Sequence, residues 1–354
     1  MQFPPQGKPP VGVIFDSDLG NRIDDILALA LLYGLDGKNE ARMVSVSVTK
    51  STLRSAALAE VIGRFYAGAV SGAFAAAGRT LPVGMAEDGR MKDDTPLMKG
   101  VLDRKTPEGK PTYDHGIHRL NDTAEPTAVI RNAFTGQHDQ NCLVLLAGPA
   151  TNLVKVLDLP GVPELIARKV RYLVVAGGDF ASSAPEPNFA ADLPAIRKLL
   201  AEWPTSIVFA GQELGAALRY PAASIEADFT WSQAQPVVDA YRAAQTMPYD
   251  APARTMAAAL YAIRPEAGLF KLSTSGRIEI LDSGAAEFAP SEGGKHRYLT
   301  LDPAKQDQIV KTFTEIASAK PVPRVRRFRP PDQQQKAAPP KPAAPKPDAA
   351  KPQQ

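Results

Sequence analysis

The 354-residue chain has a single cysteine, Cys142, so it forms no internal disulfide and no cysteine-based metal cluster. Cys142 opens an apolar run and is expected to be core. No stretch reaches the 18 or more apolar residues of a membrane span, and the opening MQFPPQGKPP lacks the apolar centre of a signal peptide. A soluble protein is expected, either cytoplasmic or exported after removal of a leader. A basic footprint for nucleic acid is missing as well. The formal charge is +3, but residues 321–354 hold eight Lys or Arg against Asp332 and Asp348, leaving the rest near −3.

What is present is an ordinary globular composition, 44% hydrophobic and 22% charged, enough to bury a sizeable core. Five apolar runs read as buried strands: Val11 to Phe15, Met43 to Val48, Leu143 to Leu146, Tyr172 to Ala176 and Ile207 to Ala210. Helical composition falls between them, at Asp24 to Tyr33, Thr52 to Tyr66 and Ala190 to Ala201, the first apolar nearly all round. This alternation predicts an α/β fold, an open, mainly parallel sheet with helices on both faces, whose ligands bind beyond the carboxyl ends of the strands. Gly84 to Ala124 reads as a long covering loop, and Arg277 to Leu281 with His296 to Leu301 as a hairpin. The expected organisation is a leader (1–10), one catalytic domain (11–320) and an extended Pro/Ala/Lys tail (321–354) with ten prolines.

The most informative segment is VGVIFDSDLGNRIDD, Val11 to Asp25. Strand alternation puts Asp16 and Asp18 on one side at the carboxyl end. Gly20 and Asn21 make the turn, and Asp24 and Asp25 open the next helix. Four converging carboxylates call for a cation, and hard oxygen ligands suit Ca2+ or Mg2+ better than zinc. Helix capping alone would explain Asp24 and Asp25 but not the other two.

DSDLGNRIDD resembles the signature of the nucleoside hydrolase family, the inosine-uridine preferring N-ribohydrolases, with two extra residues in the turn. The resemblance continues through LLAGPATNL, VVAGGDF with PEPNFAAD, and PYDAPARTMAAAL. It implies calcium-dependent hydrolysis of the N-glycosidic bond of a small nucleoside or N-riboside. By position, Asp18 would bind calcium and activate water. Asp25, the Ala147 carbonyl and Asp250 would complete the metal shell. Asp24, Glu186 and Asn188 would hold ribose hydroxyls, while Asp16 and Asp192 support. Tyr249 stands where some members carry a histidine that protonates the leaving base. Two cations depart from the pattern: Arg22 takes an expected acidic place and Lys50 that of an asparagine. His115 and His118 lie on the covering loop, and Glu213 either faces the pocket or caps a helix.

Two other readings stay open. VGVIFDSD also resembles the strand-terminal DxD of haloacid dehalogenase-type phosphatases, with Asp16 as nucleophile and Asp18 as acid, although the later Asp93 and Asp94 lie in a polar loop. The other is a noncatalytic nucleoside- or sugar-binding relative. The tail is a candidate contact for an acidic surface, and a homo-oligomer is left open.

Overall fold

The computed structural model describes residues 9–68, 81–91, 93–182 and 184–321. The tail and most of the expected leader therefore lie outside the described residues. Twelve strands are described: β1 (Val11–Ser17), β2 (Ala41–Val48), β3 (Val83–Met85), β4 (Cys142–Ala147), β5 (Val170–Ala176), β6 (Ser206–Ala210), β7 (Arg219–Tyr220), β8 (Ala251–Pro252), β9 (Phe270–Leu272), β10 (Gly276–Ile280), β11 (Ala286–Pro290) and β12 (His296–Leu301). The main sheet runs β11-β10-β12-β6-β5-β4-β1-β2-β3, with β9 on β12, while β7 and β8 form a separate pair. All pairings from β12 through β6, β5, β4, β1 and β2 to β3 are parallel. All five runs expected as buried strands fall in this parallel part.

Four of those runs are unbroken and apolar because both faces are covered, while in β2 the small buried Ser45 and Ser47 alternate with valines. Val13 and Phe15 of β1 join one core cluster, which also holds Leu143 and Leu145 of β4, whereas Ile14, Val144 and Leu146 join the cluster on the other face. The helix Ile23–Gly37 is buried nearly all round because it packs on the helices Arg254–Ile263, Pro236–Ala244 and Gln306–Ala317 as well as on β2. This explains its lack of a polar stripe.

Two expectations are corrected. His296 to Leu301 is not the second arm of a hairpin: β10 pairs antiparallel with β11 and meets β12 only at Gly276 and His296, while β12 runs parallel to β6. The helix expected from Ala190 to Ala201 is two helices, Pro187–Ala191 and Leu193–Glu202. Asp192 separates them, with an extended φ of −152° and its carboxylate accepting from the Ala195 amide. The region from 84 to 124 contains the helix Pro96–Leu102 and a short 3-10 turn at Leu120–Asp122, joined by irregular segments. No helix of the described residues is long and apolar enough to cross a membrane.

Candidate active site

The carboxyl ends of the central parallel strands gather the acidic cluster. Asp16, opposite Ser47 in the register of β1 and β2, is fully buried, and its Oδ1 accepts from the Ser47 hydroxyl (2.5 Å) and Asn152 Nδ2 (2.9 Å). Burial pushes its pKa up to about 7 against the pull of the Asn152 and Ser47 hydrogen bonds, and the charge of Asp18 adds to the rise. This supporting carboxylate is thus held by neutral donors. Asp18 is 1% exposed. Its Oδ2 accepts from Asn21 Nδ2 (2.6 Å), while its Oδ1 has no partner among the described residues.

The turn between β1 and its helix needs glycine at Gly20, where φ is +99°. A second tight approach occurs at Gly148, where a Cβ would lie 2.6 Å from the Asp18 amide nitrogen. Only glycine lets the turn after β4 close on Asp18. Segment 86–91 and Thr95 cover the turn: Asn21 Nδ2 lies 2.6 Å from Met91 Sδ, and the Thr95 hydroxyl donates to the Gly20 carbonyl (2.5 Å). The covering role expected of this region is therefore seen in its first part. His115 and His118 sit elsewhere, with rings 4.8 Å apart, beside the segment whose Gly116 amide donates to Glu60.

Asp24 and Asp25 open the helix Ile23–Gly37, facing the start of the helix Arg254–Ile263. Both Asp24 oxygens are taken, by the amides of Thr255 (2.6 Å) and Met256 (3.2 Å). These are first-turn amides with no partner inside their own helix. Asp25 Oδ1 accepts from the Thr255 hydroxyl (2.8 Å), and its Oδ2 is left without a partner. Burial raises the pKa of both aspartates, and the charge of Asp18 raises that of Asp25 further.

Glu186 and Asn188 are buried beside them. Arg254 grips Glu186 through Nη1 (2.5 Å) and Nη2 (3.4 Å), in a pair whose side chains are 4% and 1% exposed. Asn188 Nδ2 is buried with no partner among the described residues. Asp192 ties three segments together, accepting from the Thr151 hydroxyl (2.6 Å), Arg90 Nε (3.3 Å) and the Ala195 amide. Arg22 Nη1 is 3.7 Å from Glu186 Oε1, and its side chain is 31% exposed. Burial works against its charge, but Asp25, Asp18, Glu186 and Asp24 together hold the guanidinium proton more firmly than usual. Lys50 is fully buried and donates to Asn21 Oδ1, its ammonium pKa lowered by burial. Both departures from the family pattern thus belong to the cluster.

Three expected residues stand differently. Asp250 is exposed, and its Oδ1 accepts from the Ala222 amide (2.9 Å) at the start of another helix. Tyr249 is stacked on Tyr241 with ring centres 4.4 Å apart, and its hydroxyl donates to the Tyr241 carbonyl (2.6 Å). Glu213 accepts from the Phe180 amide (3.2 Å) near a small cavity of about 270 Å³ between Phe180 and Tyr298. Arg254, Thr255, Asn152, Ser47 and Asn21 were missed by sequence reasoning. The available signal was Arg254-Thr255, a polar pair at the head of the otherwise apolar ARTMAAALYAI.

The residues present fit calcium poorly. Of the expected shell, Asp18, Asp25 and the Ala147 strand end lie in the cluster, but among the described residues no three Asp, Glu, His or Cys side chains are grouped to hold a metal. Asp250 caps a helix, a threonine hydroxyl occupies one Asp25 oxygen, and a guanidinium faces the carboxylates.

The sequence profile of the inosine-uridine preferring nucleoside hydrolases matches residues 13–308. The chain belongs to this family. It therefore falls among the hydrolases acting on N-glycosyl bonds. Solved structures share the fold at low identity. A plant nucleoside hydrolase, PpNRh1, is 17% identical over 88% of this chain and all of its own, with a TM-score of 0.64. The inosine-uridine preferring nucleoside hydrolase of Bacillus anthracis is 16% identical over 87% of this chain and 99% of its own, at 0.60. The type III effector protein XopQ, solved with adenosine diphosphate ribose, is 12% identical over 88% and 96%, at 0.62. No curated protein sequence matches.

Proposed function

We propose that this nucleoside hydrolase family member cleaves the N-glycosidic bond of a ribonucleoside or related N-riboside, with Asp18 as general base. The observation that carries this reading is the state of Asp18: one oxygen fixed by Asn21, the other buried and unspent. A water accepted there gives its proton to Asp18 Oδ1 as its oxygen bonds to C1′. The bonding pair of the glycosidic bond leaves with the base, and the ring passes through an oxocarbenium-like state. Asn188 Nδ2 and Asp25 Oδ2, also buried and unpaired, are the groups that hydroxyls of the sugar would satisfy. This revises the sugar ligands implied by the resemblance, since Asp24 is committed to the helix Arg254–Ile263 and Glu186 to Arg254. The calcium implied by that resemblance supplies no step here. Access requires segment 86–91 to move aside, because Asp18 is only 1% exposed.

The leaving base gets no acid from Tyr249, whose hydroxyl is spent on a carbonyl and whose pKa burial raises further. Substrates with good leaving groups, such as p-nitrophenyl riboside, should therefore turn over faster than inosine. The commitments of Asp24 and Glu186 favour a second reading, a site that binds the sugar without cleaving it. The phosphatase reading loses ground: Asp16, its nucleophile, is fully buried and held by Ser47 and Asn152. Incubating full-length protein with a panel of ribosides, with chromatography for free base and calorimetry for binding, separates the two. Release of base supports hydrolysis; saturable binding without release supports the binding protein.

A further inference from the structure

The positive charges that balance this acidic cluster are side chains of the chain itself. Arg254 is bidentate on Glu186, Lys50 is buried on Asn21 beside Asp18, and Arg22 lies 3.7 Å from Glu186, near enough for the charges of Asp25 and Asp18 to act on it. Arg22 precedes the helix Ile23–Gly37 and makes no capping hydrogen bond with its side chain. Its guanidinium reaches toward Glu186 instead, and its Nε and Nη2 are buried without partners. Asp18 Oδ1 and Asp25 Oδ2 are buried and unpartnered in the same way. Unfilled donors on the cation thus share the cluster with unfilled acceptors on the carboxylates.

A divalent ion binding Asp18 and Asp25 would have to sit against this guanidinium, like charge against like. It would also lack a third carboxylate. The residue beside Asp25 is Thr255, whose hydroxyl already donates to it, and Asp250 is held at the Ala222 amide. We propose that Arg22 is the resident cation of the site, taking the place of a bound divalent metal. Arg22 then does two things that an ion would otherwise do: it places a positive charge among the carboxylates, and it offers two buried, unpartnered N–H donors to a sugar hydroxyl. Unlike an exchangeable ion, it is never lost to a chelator.

This inference concerns the same site as the proposed hydrolysis, but its test reads metal uptake and melting rather than turnover. Full-length protein, stripped with a chelator and desalted, is titrated calorimetrically with calcium and then magnesium. Its melting temperature is followed with and without each ion. Wild type should take up neither ion saturably up to millimolar concentration and should melt at the same temperature throughout. Arg22→Ala should melt lower than wild type and recover part of the loss when calcium is added, whereas Arg22→Lys should resemble wild type. The double variant Arg22→Ala/Thr255→Asp, which removes the guanidinium and adds a carboxylate beside Asp25, should gain stoichiometric calcium uptake. One tight calcium site in wild type, lost in Asp25→Asn, would overturn the proposal. A folded double variant that takes up no calcium would also overturn it, because Arg22 would then not be what occupies the cation's place. Should the double variant fail to fold, the calcium response of Arg22→Ala decides: no recovery counts against the proposal and recovery supports it.

Discussion

Replacing Asp16 by asparagine isolates one buried carboxyl whose proton is linked to folding. Its Oδ1 accepts two hydrogen bonds, from Ser47 and Asn152, which an asparagine oxygen can accept equally, and its Oδ2 has no partner to lose. Burial raises its pKa from 3.8 to about 7. A raised carboxyl pKa means that the folded state binds the proton more tightly than the unfolded chain, so stability falls as pH rises toward 7. The cost of the buried charge is fully present above the folded pKa and is relieved as pH drops through 7 toward the unfolded value. Between pH 8 and pH 5 the relief covers about two pH units at about 1.36 kcal/mol each, or about 2.7 kcal/mol. Asp24 and Asp25 are also raised, so the quantity to measure is the difference between Asp16→Asn and wild type, in which their contributions largely cancel. Urea denaturation at both pH values should show Asp16→Asn losing about 2.7 kcal/mol relative to wild type on going from pH 8 to pH 5. A difference that stays constant across this range would refute the assignment of Asp16 as a group that gains its proton near neutrality.

Arg254→Ala should destabilise by about 3–5 kcal/mol, because it removes the bidentate partner of buried Glu186 and leaves it only the longer contact to Arg22, and Arg254→Met with Glu186→Leu should recover most of that loss; thermal melts of the single and double variants check it. Gly148→Ala pushes a methyl against the backbone at Asp18 and should cost roughly 1–3 kcal/mol as well as disturb riboside binding, read by denaturation and calorimetry. Tyr249→Phe should lose only about 1 kcal/mol for one hydrogen bond and leave turnover of p-nitrophenyl riboside within about twofold of wild type, since the hydroxyl is engaged with Tyr241.

The parallel half of the sheet was legible because strands covered on both faces are rich in apolar residues, in long runs in β1, β4, β5 and β6 and alternating with small buried serines in β2. The far edge was not. Ala286–Pro290, with a glutamate and a closing proline, carries no such signature, so His296–Leu301 was given a partner that belongs to β11. The split at Asp192 was marked by Asp-Leu-Pro, a capping residue followed by a proline suited only to a first helical turn, though helical composition on either side hid it.

At the site, the convergence of Asp16, Asp18, Asp24 and Asp25 followed from strand alternation and one short turn, both local in the chain. What local pattern could not reveal was which distant group answers each carboxylate. Thr255 lies 230 positions beyond Asp25, and Asn152 lies 136 beyond Asp16. The resemblance of PYDAPARTMAAAL to the family segment points to Asp250, yet the polar groups that reach the cluster stand at the head of the helix that follows, four and five positions later.

The most direct test is the rate of p-nitrophenolate release from p-nitrophenyl riboside and of base release from inosine by full-length protein in the presence of chelator, compared with Asp18→Asn shown by circular dichroism and melting to be folded. Wild type should turn over both, faster on the activated riboside, and Asp18→Asn should lose about 100-fold or more, the scale of general-base catalysis. No free sugar from any riboside with folded wild type, or an Asp18→Asn rate close to wild type, would contradict this mechanism.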